Sequence, residues 1–151
     1  MDEQSLFNGL IGTYRELNMK VRTLPEERLQ LGRGRETVRR VILDMRDDEL
    51  LFSQALKDRL VGAPMADIFH GRVDIEAAEI PSPDDTTAEV ISQFGTARES
   101  TLAMLRGMSP ESWDDQSQGA FTIREATGGL LASDATHLKK IVTLLGSPSP
   151  N

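Results

Sequence analysis

Four long stretches of this sequence repeat their apolar residues every three or four positions, and all the prolines, with the glycines at 32, 34 and 62, fall outside them. That pattern predicts an all-α fold. The first stretch runs from about Ser5 to Thr23, with Leu6, Leu10, Tyr14, Leu17 and Val21 on one stripe and Pro25 as a stop. Residues 25 to 31 read as a short helical turn, and Gly32-Arg33-Gly34-Arg35 reads as a loop. A second helix carries Val38, Val41, Ile42, Met45, Phe52, Leu56 and Leu60, and it ends at Gly62-Ala63-Pro64. A third runs from about Thr86 to Gly107 through Val90, Ile91, Phe94, Thr101, Leu102 and Leu105. The fourth opens at Thr122, where Thr-Ile-Arg-Glu has the spacing of a capping box, and closes at Gly146.

Helices of about 20 to 26 residues are about 30 to 39 Å long, well enough matched to lie side by side. The expectation is a four-helix bundle in one domain over residues 1–146, with 147–151 as a tail. The stretch from Pro64 to Asp85, rich in proline and acids, reads as a long crossover loop between the second and third helices. Ser109-Pro110-Glu111 reads as a cap with proline in the first turn of a short helix that delivers Trp113 as a plug at one end. At 151 residues the chain can bury roughly 70% of its surface, so the core needs no covalent staple.

Composition narrows the function classes. The chain has no cysteine, which removes disulfides, thiolate metal sites and cysteine nucleophiles. With 17 basic against 24 acidic side chains it lacks the cationic surplus that nucleic-acid binding needs. It has no run of about 18 apolar residues and an acidic start, so neither membrane insertion nor export is expected. These features point to a cytoplasmic protein.

Polar residues at helical spacing are the candidates for chemistry. Ser133 and His137 are four apart on the last helix and share a face; Asp44 and Asp48 share a face of the second, and Glu49 lies on its apolar seam. For Glu49 the structural alternative is a buried pair with an arginine such as Arg15 or Arg98 that sets helix register. Arg33, Arg35, Arg39 and Arg40 form the one basic concentration, read either as a solvated face or as an anion pocket for a carboxylate or phosphate. Gly128 and Gly129 fall inside a predicted helix at about 1 kcal/mol each relative to Ala. A closely approaching neighbour helix, or space for a ligand above Ser133, would offset that. His70 reads as a surface residue, and the six methionines as core fillers or initiator.

Two segments carry a resemblance. Thr37-Val38-Arg39 opens the second helix, and Thr122-Ile123-Arg124-Glu125, preceded by Ser109-Pro110-Glu111-Ser112-Trp113, opens the last. In their order and spacing, over nearly the whole chain, they resemble the DinB and YfiT-like superfamily of four-helix-bundle proteins. The resemblance implies a divalent metal, nickel or zinc, held by three histidines in the bundle core, and in some relatives the transfer of low-molecular-weight thiols. The three ligand positions are here Asp44, Ser133 and His137, so one histidine remains. Asp48, Glu49 or Asp134 are the substitutes within reach, and a carboxylate-rich site would hold nickel or zinc weakly and lean toward manganese.

Two expectations follow. One is a DinB-like domain with a degenerate metal site, working as a small-ligand-binding or interaction protein. The other is a metal-dependent enzyme of that superfamily, catalysing thiol transfer or hydrolysis through Asp44 and His137. The resemblance also admits a homodimer, since relatives pair through helices.

Overall fold

The structure, a computed structural model, describes residues 1–30, 32–33, 36–62, 85–117 and 121–146. Among these residues it is all-α apart from one two-residue ladder. The elements are α1 (Glu3–Val21), α2 (Glu26–Leu29), β1 (Gly32–Arg33), β2 (Glu36–Thr37), α3 (Val38–Leu60), α4 (Thr87–Arg106), α5 (Pro110–Trp113) and α6 (Ile123–Gly146).

The helix starts follow from side-chain caps. Asp2, Thr37 and Thr86 each accept a hydrogen bond from the backbone N–H three residues on, satisfying a donor that the first turn leaves orphaned. At α6, Thr122 Oγ1 accepts from Glu125 N at 3.0 Å and donates to the Glu125 carboxylate at 3.1 Å, so the expected cap forms, with the carboxylate engaged by the Thr122 hydroxyl and not by its backbone N–H. Helix α3 ends at Gly62, whose φ of 99° lies in the left-handed region that glycine tolerates.

The segment expected as a loop at Gly32 instead pairs β1 with β2 antiparallel, Gly32 opposite Thr37. A Cβ at Gly32 would lie 1.8 Å from the Glu36 carbonyl oxygen, so the close backbone approach requires glycine. Gly34, Arg35, His70, most of the expected crossover and the expected tail lie outside the described residues.

Four long helices pack side by side, α3 against α4 and α6, and α1 against α6 and α4. Helices α1 and α3 therefore stand diagonally, as do α4 and α6. Contacts give the directions. Arg124 near the start of α6 donates to the Met1 carbonyl and Glu3, while further along Thr13 meets Asp134, so α1 and α6 run the same way. Arg46 meets Gln93 and Glu49 meets Arg98, so α3 and α4 also run the same way. Arg22 near the end of α1 reaches Ser92 near the start of α4, which makes those two pairs opposed. A parallel pair of consecutive helices requires a crossover between them.

The core has two apolar halves. One gathers Leu6, Leu10, Phe52, Leu56, Leu102, Leu105, Trp113, Ile123 and Leu130; the other gathers Leu17, Val21, Val41, Ile42, Met45, Val90, Ile91, Phe94 and Ile141. Trp113 plugs the first half as expected, edge-on to Phe7 at 5.8 Å between ring centres, and Arg124 lies 5.7 Å from its ring. Two expectations about the core fail. Leu60 is 52% exposed because on the last turn of α3 it is Arg59, 8% exposed and bonded to Asp115, that turns inward, and Met19 is 76% exposed on the outer face of α1. No helix among the described residues is long and apolar enough to cross a membrane.

Candidate functional site

Between the two apolar halves each long helix turns a polar residue inward: Thr13, Glu49, Arg98 and Asp134. Their exposures are 4%, 0%, 1% and 3%. On α1, for example, Thr13 follows Leu6 and Leu10 of one half and precedes Leu17 and Val21 of the other. The four form a belt across the middle of the molecule.

Arg98 organises the belt. Its two terminal nitrogens each donate to the Asp134 carboxylate at 3.0 Å, one of them also to Glu49 Oε1 at 2.7 Å and the other to the Leu10 carbonyl at 2.9 Å. Thr13 Oγ1 donates to Asp134 Oδ2 at 2.9 Å. A fork of two parallel bonds to a carboxylate is the geometry that arginine supplies and lysine cannot. Burial pushes the pKa of Arg98 down, but the charges and hydrogen bonds of Glu49 and Asp134 outweigh it and the net shift is upward. The guanidinium therefore stays charged. Among the described residues, Glu49 Oε2 and Arg98 Nε have no hydrogen-bond partner.

The arginine pairing expected for Glu49 is thus present, with Arg98 as the partner. Asp134, a candidate ligand in the sequence, is the second arm of the same belt. Sequence reading missed Thr13 and the centrality of Arg98. The signal was there, since Arg98 falls in phase with Phe94, Thr101, Leu102 and Leu105 on the buried face of α4.

The remaining candidates are distributed around the belt. His137 is one turn beyond Asp134 toward the second half of the core, with Nε2 3.8 Å from Asp48 Oδ2. The residue of α3 that meets His137 is therefore Asp48. Asp44, one turn earlier, pairs with Arg40 at 3.2 Å on its own helix. Ser133 is half-buried beside Asp134.

Of the basic cluster, Arg39 donates to Thr87 Oγ1 at 3.1 Å and pairs with the exposed Glu26 at 3.5 Å, so its charge already faces a carboxylate of the same chain. Arg33 belongs to β1, and Arg35 lies outside the described residues. The anion pocket expected from Arg33, Arg35 and Arg39 thus has one described side chain, already engaged.

The donor set does not fit a three-imidazole centre. Asp44 is held by Arg40, Ser133 offers a neutral hydroxyl, and His137 is the one imidazole of the three. Among the described residues no group of three or more histidine and carboxylate side chains is arranged to hold a metal ion. The sequence matches no family model and, at a significant level, no curated protein.

Proposed function

We propose that this chain is a DinB-like four-helix bundle in which an arginine replaces the metal of the family's core, and that it works as a small-ligand-binding or interaction protein. The observation that carries this reading is Arg98. It brings a permanent positive charge to the middle of the helices, where two carboxylates from α3 and α6 close on it. Resemblance puts the metal within a turn of that level, beside Ser133 and His137. A guanidinium there supplies the cross-helix attraction that a dication would otherwise provide, with no open coordination position for substrate.

A second reading is favoured by the approach of His137 to Asp48, a carboxylate–imidazole pair of the kind found around bound metals. On that reading the chain is a divalent-metal-dependent enzyme of the superfamily, with nickel, zinc or manganese weakly held by His137 and a nearby carboxylate, Asp44 or Asp48.

Elemental analysis of protein purified without chelator or affinity metal separates the two. The first reading expects less than about a tenth of an equivalent of any transition metal, unchanged in Asp44→Ala and His137→Ala. About one equivalent, lost on either substitution, would overturn it in favour of the second. Sedimentation of the same preparation reports whether the protein pairs into the homodimer that the resemblance admits.

A further inference from the structure

An open groove of about 420 Å³ runs between the parallel helices α3 and α4. From α3 it takes Leu50, Ser53 and Lys57, which share a face at spacings of three and four; from α4 it takes Thr96, Ala97 and Ser100. The volume lies within the range of small-ligand sites, about 300–1,000 Å³.

Three observations say what such a ligand would be. Ser53 is 5% exposed, lines the groove, and makes no hydrogen bond among the described residues. Its oxygen still opens to the groove, so a ligand there can take the place of water as its hydrogen-bond partner. One turn away, Lys57 carries a charge that no carboxylate of the described residues pairs, in a chain whose formal charge is −7. Leu50, 53% exposed, and Ala97 supply an apolar wall beside these two polar groups.

The opposite end of the groove is different. Gln93 is occupied by Arg46 and Asp85, and the groove continues past Ser92 to Glu89 and Arg22. Glu89 and Arg22 offset each other at that end, whereas Lys57 is the one charged side chain of the described residues lining its own, so the headgroup belongs at the Lys57 end.

We propose that this groove binds a small amphiphilic carboxylic acid, its carboxylate between Lys57 and Ser53 and its apolar body along Leu50 and Ala97. The proposal rests on the small-ligand reading above and names the ligand class.

Amide-resolved NMR titration of the full chain with hexanoate, hexylamine and hexanol tests it. Hexanoate is expected to shift residues 50–57 and 96–100 saturably, with affinity about tenfold lower in Lys57→Gln and lowered again in Ser53→Ala, the loss typical of a charge-assisted hydrogen bond. Lys57 is on the surface and alanine favours helix, so both variants are expected to fold. Hexanoate shifts outside the groove, or unchanged by both substitutions, would overturn the site. Hexylamine or hexanol bound in the groove as tightly as hexanoate would overturn the acid class and leave the small-ligand reading standing. No saturable response to any of the three probes would overturn the site and count against the small-ligand reading as well.

Discussion

Arg98 on α4 holds Glu49 on α3 at 2.7 Å in a place where neither side chain meets water. Such a pair gains little over a well-packed apolar one, because stripping both ions of solvent offsets most of their attraction. Breaking it is another matter. Arg98→Met would leave Glu49 and Asp134 facing each other in the core without a counter-ion. The expected loss is about 3–5 kcal/mol of unfolding free energy, read from the urea midpoint. Replacing all three, Arg98→Met with Glu49→Leu and Asp134→Leu, is expected to recover most of that loss. A single variant as stable as the natural chain would show that the belt contributes nothing to the fold.

Acid sensitivity should concentrate at the Trp113 end. Arg124 donates two bonds to Asp114, at 2.8 and 3.1 Å, and one to Glu3 at 3.3 Å. The Arg124 hydrogen bonds hold both carboxyls below the ordinary carboxylate range. A carboxyl whose folded pKa is depressed stabilises the fold above its unfolded pKa, and that contribution is lost as pH falls through the folded one. The stability difference between the natural chain and Arg124→Gln should therefore be constant near neutrality and shrink below about pH 4. Urea titrations at pH 7, 4 and 2.5 check this. A difference that widens in acid would reverse the assignment.

Glycines inside the helices should respond in opposite directions. A Cβ at Gly128 would meet nothing within 4 Å, so the neighbour expected to approach there does not. Gly128→Ala should stabilise by about 0.5–1 kcal/mol, since the helix gains propensity at no steric cost. At Gly95 a Cβ would lie 2.6 Å from the Tyr14 ring, and at Gly9 2.7 Å from Leu131. Alanine at either site must displace a packed side chain and should lower the thermal midpoint.

Trp113 is the one tryptophan in the chain and is buried against Phe7. Trp113→Ala should cost about 3–5 kcal/mol. In the natural chain, tryptophan fluorescence and far-ultraviolet circular dichroism should give coincident urea transitions, because α5 has no core of its own. A fluorescence change well before the loss of helix would mean that this end undocks separately.

The helices and their buried faces were legible because one period governs each of them. Leu6, Leu10, Leu17 and Val21 recur on a single stripe, and Thr37 and Thr122 mark helix starts through chemistry that needs no tertiary context. An inward carboxylate such as Glu49 was legible too, since it interrupts an apolar seam. Which residues meet across helices was not. His137 meets Asp48 and not Asp44 because of the relative slide of α3 and α6, a quantity set by packing and invisible in either helix alone. The engagement of Arg39 by Glu26 and Thr87 likewise depends on where α2 and α4 settle against α3.

The order of the helices around the core has a consequence for how the chain gets there. The first two long helices, α1 and α3, sit on a diagonal, so they do not form the local hairpin from which many helical proteins start. The belt contacts span 49 residues from Glu49 to Arg98, 88 from Leu10 to Arg98 and 121 from Thr13 to Asp134. Each such closure spends chain entropy before packing repays it. Contact order, and not helical content, should therefore set the folding rate, which belongs on the slow side for an all-helical domain.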